Sequence, residues 1–443
     1  MIAVAKKFLY AVPFTVAIVC ATLYYPYIGG KALFFRFIIE ATTLLIMIAW
    51  AQGDLLFKEN IRHRSFVVTI GIFLGIFIIA TLFGIDPKLS FWSSFERMDG
   101  VFQMIHYGIL FFLLILLFKK EHEWQKIFFL SVIAGLLVIL AVPIITTLHG
   151  APQWDILFSH NRFIGSLGNA SYVGSYFLFS FFYIGMLTIH HFQKRKSLLN
   201  ILFLGICTII FLIFLILTQT RGAVLGLGAG IMATLFFLLF SGQKKVKSIS
   251  QKILLSIIGI SVLISAGSFF LPKNYCPICQ RFITLSPTDN TNKPRILIWQ
   301  TALESIKDHP LLGWGPENFY AAFNARFNPN HFNPQNPEGS EIRVDRPHNI
   351  YLQYFVDAGI IGFLSFIALF VILYKDLFTL LKKKNVLPVA VLYQAAIIFG
   401  FSIAYLVSAF FSVEALPTTF NLFIFFAFCS WFFYHYNQNP DTI

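Results

Sequence analysis

Charge is scarce in this chain: Asp, Glu, Lys and Arg make up 12% of its 443 residues, while hydrophobic side chains make up 57%. With a mean hydropathy of +0.75 it carries more apolar surface than a water-soluble core hides, so lipid must be its solvent. A soluble domain with clustered Lys and Arg is also missing, which excludes nucleic acid as the reason for the formal charge of +13. The alternating pattern of a membrane barrel is missing too. Cysteine is rare, at five residues, and the CxxC of Cys276 and Cys279 has no second pair. That argues against zinc and leaves a local disulfide or two free thiols. GWGPENF is not a nucleotide loop, because it lacks the preceding strand and the Lys-Ser/Thr ending.

Long apolar runs are present in abundance. Runs of at least about 17 mainly apolar residues, enough to cross roughly 30 Å of hydrocarbon, lie near 8–25, 32–50, 66–84, 101–118, 127–148 and 170–189. Six more lie near 198–218, 223–240, 253–271, 350–374, 388–411 and 418–435. An all-α polytopic membrane protein of about twelve transmembrane helices is expected, because lipid requires each backbone group to be satisfied within its own segment. Three regions follow: an N-terminal membrane bundle over 1–271 (about nine helices), an external loop over 272–349, and a C-terminal bundle over 350–443 (about three helices). The first apolar run lacks a small-residue cleavage site and reads as an anchor.

Most of the 33 basic residues fall in alternate short segments: Lys6 and Lys7; Lys58, Arg62 and Arg64; Lys119, Lys120 and Lys126; Lys194 to Lys196; Lys244 to Lys252; and Lys375 with Lys382 to Lys384. The positive-inside rule puts these segments and both termini in the cytoplasm, and the large loop outside. The basic residues expected outside stand singly at helix mouths: Arg97 in FWSSFERMDG, Arg162 in HNRFIGSLGNASYVGSYF, Arg221 in TQTRGAVLGLGAG, and Arg346 beside His348 in DRPHNIYLQYF. Each arginine alone also fits a snorkelling anchor. As a set they fit a diphosphate, whose oxygens match guanidinium forks.

His348 fits either a polar cap or a proton acceptor. Leu352, Phe355, Gly359 and Gly362 fall within about 40° of it on one helix face, a stripe on which a helix backbone or a lipid tail could come close. Gly222, Gly226 and Gly230 form a small-xxx-small ladder expected to pack tightly against another helix. RILIWQTALESIKD, over 295–308, is expected to be an amphipathic helix with Ile296, Trp299, Leu303 and Ile306 on its apolar face. Arg36 and Glu40, one turn apart within a span, are expected to neutralise each other.

Taken together these residues resemble the O-antigen ligase and polymerase superfamily. Its motif H[N/S/Q]-x9-G-x-x-[G/T/Y] is filled by His348, Asn349, Gly359 and Gly362, and its R-x3-L by Arg221 and Leu225. A looser pattern is similar to Arg162 with Gly168 and Asn169, and DHPLLGWGPENF is typical of the loop. The resemblance implies a GT-C-like helical bundle and a metal-independent, cofactor-free glycosyltransferase in the inner membrane. Its donor would be a glycan on undecaprenyl diphosphate, and its acceptor a glycan or lipid hydroxyl. It implies His348 as the base or orienting group, Arg162 and Arg221 on the departing diphosphate with Arg346 assisting, and Asn349, Gly359 and Gly362 lining the substrate. A nearby arginine would keep part of the histidine neutral. Ligase, repeat-unit polymerase and protein O-oligosaccharyltransferase share the scaffold; the moderate loop without a separate acceptor domain favours the ligase. A transporter would show ionisable groups or broken helices at mid-membrane and an internal repeat, whereas only Arg36 and Glu40 lie at depth.

Overall fold

A computed structural model of the chain describes residues 1–20, 22–54, 64–148, 155–193, 198–268, 292–332 and 343–438. Lys58, Arg62, Lys194 to Lys196, and the Cys276 and Cys279 pair lie outside them. The membrane elements in chain order are α1 (Ile2–Ala11), α2 (Gly29–Ala51), α3 (Arg64–Leu82), a short α4 (Pro87–Trp92), α5 (Val101–Leu117), α6 (Glu121–Leu148) and α7 (Ala170–Gln193). They continue with α8 (Leu198–Leu217), α9 (Arg221–Leu238) and α10 (Lys244–Ser268). Two helices of the large loop, α11 (Asn292–Ile306) and α12 (Phe319–Ala325), precede α13 (Ile350–Lys382), α14 (Val389–Ala409) and α15 (Leu416–Phe433).

Among the described residues nine helices are long and apolar enough to cross a membrane, and α5 is a shorter apolar helix. Ten of the expected spans therefore coincide with helices of this kind. The run at 8–25 is not one span: α1 ends at Ala11, and Pro13, which has no N–H to donate, starts a 3-10 segment that ends at Ala17. The run at 253–271 falls on α10, whose lysine-bearing first turns set it apart from the apolar spans.

Helix α15 is apolar on all sides, and a helix of that kind belongs in the interior. Its membrane window is 94% buried, and it packs on α5, α7 and α13 through aromatic pairs such as Phe425 with Phe182 of α7 at 5.2 Å. Helices α9 and α14 lie closest of all, because glycines let their backbones meet. A Cβ on Gly226 would stand 2.6 Å from the Ala404 carbonyl oxygen, and one on Gly230 2.8 Å from that of Gly400. The expected ladder is thus a packing device for two of its three glycines; Gly222 meets the Phe411 side chain instead.

Helix α13 is broken near its start. Ala358 leaves helical geometry and Gly359 takes φ +65°, ψ −167°, a conformation essentially reserved for glycine. The break frees backbone groups, and the large loop supplies their partners. Trp314 and Gly315 donate to the carbonyls of Val356 (2.7 Å) and Asp357 (3.1 Å), while Ile360 donates to that of Pro310 (2.9 Å). The loop also has a small core of its own, in which Ile298, Ala302, Trp314, Phe319 and Phe323 pack on Val356. Helix α11 buries Ile306 as expected, but the rest of its buried face is rotated from the expected one. Ile298, Thr301, Ala302 and Ser305 are buried, whereas Ile296 and Leu303 are exposed, because the helix packs on α12 and α13.

Candidate functional site

The connections at one end of the bundle bring most of the singled-out residues together. Arg162 is set by a two-residue hairpin: Phe158–Ser159 pairs with Arg162–Phe163, Ser159 opposite Arg162. The turn residues His160 and Asn161 both have positive φ, as a type I′ turn requires, and Asn tolerates that geometry. From there the Arg162 guanidinium donates to the Thr218 carbonyl (2.9 Å) and to the Thr220 hydroxyl (3.3 Å). Thr220 is the N-cap position of α9 and Arg221 its first residue, so the two arginines expected to act together share one junction. Leu225 of the same motif faces outward, 49% exposed. Gly168 (φ +71°) lies against the Tyr27 ring, where no Cβ fits, and Asn169 accepts from the Ser171 amide.

His348 stands two residues before α13, half-buried, with φ +54°. Its Nδ1–H donates to the Arg346 carbonyl at 3.0 Å. A carbonyl can only accept, so in the neutral ring Nδ1 holds the proton and Nε2 keeps its lone pair. Burial, then the charges of Arg295 and Arg97, push the imidazole pKa down, against Asp345 and the bond to Arg346. Trp299 of α11 donates to the adjacent Pro347 carbonyl (2.9 Å) and stacks edge-on to Phe410, whose neighbour Phe411 covers Gly222. The turn after α14 thus lies between His348 and the Arg162–Arg221 junction.

The four expected substrate contacts have other partners. Arg346 is 4% exposed; its guanidinium pairs with the Glu317 carboxylate, donates to the Glu414 carbonyl (3.2 Å) and lies 3.9 Å from Asp99. It holds four segments together. Asn349 is the N-cap of α13, its Oδ1 accepting from the amides of Tyr351 (3.0 Å) and Leu352 (3.2 Å). Gly359 is covered by Leu311 and Leu312 and Gly362 lies against Ala358, so the stripe below His348 is filled at Gly359 by the protein's own loop.

Sequence reasoning did not assign the acids and the lysine around Arg346. Arg97 donates to Asp345 (2.6 Å) and to the Tyr172 hydroxyl (2.5 Å), and it holds the Asp345 carboxyl below its ordinary range although burial opposes this. Asp99 accepts from Tyr107 (2.8 Å) and Glu414 from Tyr354. Burial raises Asp99 to about 6 and Glu414 to about 7, Arg346 opposing in both cases. Lys31, 1% exposed, donates to the carbonyls of Ile18 and Ser166. Lys31, Arg97, Asp99, Tyr172, Arg346 and Glu414 line a cavity of about 30 Å³, room for about one water and not for a sugar diphosphate. Asp99 and Glu317 sat inside FERMDG and GWGPENF, and Glu414 sits alone among apolar residues, a recognised sign of a role.

Arg36 and Glu40 do not pair as expected. Arg36 donates to Gln103 (2.7 Å) and to the Met98 carbonyl (2.9 Å), and Glu40 meets His106 Nε2 at 3.0 Å. Among the described residues no group of three or more His, Cys, Asp or Glu side chains is arranged to hold a metal ion.

Fold and site together define a multi-pass α-helical membrane protein with Arg97, Arg162, Arg221, Arg346 and His348 at the connections of one end of the bundle. Within it, residues 206–367 match the family model for O-antigen ligase. The match spans Arg221, Leu225, the loop sequence and the His348 to Gly362 motif, and the resemblance to the O-antigen ligase and polymerase superfamily stands on it; Arg162 lies outside. The chain is also similar to an uncharacterized protein of Haemophilus influenzae, 26% identical over 203 residues. That alignment covers 45% of this chain and 48% of the relative, so the chain spans about half the length of the relative it matches.

Proposed function

We propose that the protein transfers a glycan from undecaprenyl diphosphate to an acceptor hydroxyl on the outer face of the cytoplasmic membrane, as an O-antigen ligase does. Both termini and the lysine-rich segments then face the cytoplasm. The observation that carries the reading is the hydrogen bond from His348 Nδ1 to the Arg346 carbonyl, which reserves Nε2 as a base beside a depressed pKa.

In the step itself the acceptor oxygen attacks the anomeric carbon, a new C–O bond forms, and the bond from that carbon to the diphosphate oxygen breaks. The hydroxyl proton goes to His348 Nε2, and the electron pair leaves on the diphosphate. Arg162 and Arg221 balance that charge, helped by the positive N-terminal end of α9, whose first residue is Arg221. Arg346 contributes by holding the His348 loop, through its carbonyl and its pairing with Glu317. The energy for transfer is already in the donor's diphosphate, so no nucleotide is required outside the cell.

The test is transfer of a radiolabelled glycan from undecaprenyl diphosphate by the purified protein in EDTA. His348→Ala is expected to lower the rate by about 10²–10⁴-fold, and Arg221→Ala to lower it with the fold intact. Full transfer by both variants would sink the site. A lipid-borne saccharide acceptor compared with a second lipid-linked repeat unit separates ligase from polymerase.

A further inference from the structure

A second cavity shares no lining residue with the small cavity beside Arg346. It measures about 460 Å³ and is lined by α2, α4 and the segment after α4, with Arg36, Lys88, Trp92, Ser93 and Ser94 among its walls. Two of these are cations. Asp86, the carboxylate at the rim, is engaged as the N-cap of α4, accepting from Leu89 at 3.0 Å. The hydrogen bonds of Arg36 are to a neutral amide and a carbonyl, and the Asp99 and Glu40 carboxylates act on it only at longer range. Trp92 is 54% exposed and the neighbouring Phe95 85%, in the manner of aromatic residues seated at a bilayer interface.

Below the cavity, α2 presents a face that other helices leave uncovered. Leu33, Phe37, Leu44 and Met47 are each more than half exposed and recur at helical spacing, interrupted between Phe37 and Leu44 by the exposed Glu40, which meets His106, with Arg36 on the flank of the same face at its upper end. Arg36 lies about 10 Å below the start of α2, at 1.5 Å per residue. A recess whose lining carries Arg36 and Lys88 against Asp86 therefore opens directly above Leu33 and Phe37 of a spanning helix.

We propose that this recess binds the phosphodiester headgroup of an anionic phospholipid, with Arg36 and Lys88 facing the phosphate and the acyl chains lying along Leu33, Phe37 and Leu44. The occupant reaches the reaction end through one residue: Ser93 of the recess donates to Glu317 (2.7 Å), the carboxylate that pairs with Arg346.

The full-length protein, in phosphatidylcholine vesicles doped with brominated phosphatidylglycerol or with brominated phosphatidylcholine, tests this by tryptophan quenching. The difference between wild type and Trp92→Phe isolates the signal of the recess. Brominated phosphatidylglycerol is expected to quench Trp92 preferentially. Lys88→Gln, at an exposed position, is expected to reduce the apparent preference about fivefold, the contribution of one cation near a phosphate surface. Arg36→Gln combined with Lys88→Gln should abolish it. Equal quenching by the two lipids, or a preference unchanged in both variants, would overturn the site. Displacement of phosphatidylglycerol by polyprenyl diphosphate would give the recess to the glycan donor and overturn the phospholipid assignment. No sugar takes part, so this experiment fails or succeeds independently of glycan transfer.

Discussion

Because the Arg346 carbonyl fixes the proton of His348 on Nδ1, the pH at which Nε2 becomes a base is set by what surrounds the ring. Burial and the charges of Arg295 and Arg97 lower that pKa. In the proposed transfer the neutral form is the base, so activity should rise with pH along a limb below the ordinary histidine value of about 6.5. Arg295→Gln removes one of the causes, and the limb of kcat/KM should move to higher pH; an unmoved limb would show that another group controls it. His348 was legible in the sequence, since its motif and its place before a span are local. The sealed position of Arg346 was not. Its partners Asp99, Glu317 and Glu414 come from segments far apart in the chain, and only folding brings them to one guanidinium.

At the scale of elements, hydropathy marks the helices well because lipid forces each to satisfy its own backbone. It does not reveal the break in α13, where the apolar run resumes after Asp357, Ala358 and Gly359 as if the helix were continuous. The signal was a glycine inside a helix, read as a surface for another partner. A Cβ at Gly359 would stand 2.1 Å from the Leu311 carbonyl oxygen, against backbone that cannot swing aside, and in a conformation that alone costs about 1–3 kcal/mol. Gly359→Ala is therefore expected to destabilise the protein by more than about 3 kcal/mol. Gly228→Ala in α9, where a Cβ meets open space, should be neutral or gain up to about 1 kcal/mol. Heat-induced aggregation of the two detergent-purified variants checks the contrast; similar behaviour would refute it.

For the whole molecule, the decisive feature is the meeting of four connections around Arg346. Sequence reasoning placed the cations at one end by counting spans, and the structure adds the acids that answer them. Asp99 and Glu414 are raised to about 6 and 7, so the folded protein holds their protons more tightly than the unfolded chain does. Their contribution to stability is present in full below about pH 4 and is lost as pH rises through those values. Thermal stability should fall between pH 5 and 8, and Glu414→Gln, which keeps an oxygen for Tyr354, should flatten the fall; a slope unchanged in that variant would exclude Glu414 as its source. The broken helix has a consequence for heredity. Residues 310–315 and 356–360 complete each other's backbone hydrogen bonds, so the large loop and its membrane helix form one heritable unit. A recombinant that joins the loop of one relative to the helices of another through this seam would keep every helix and lose the junction, which places tolerated crossover points outside it.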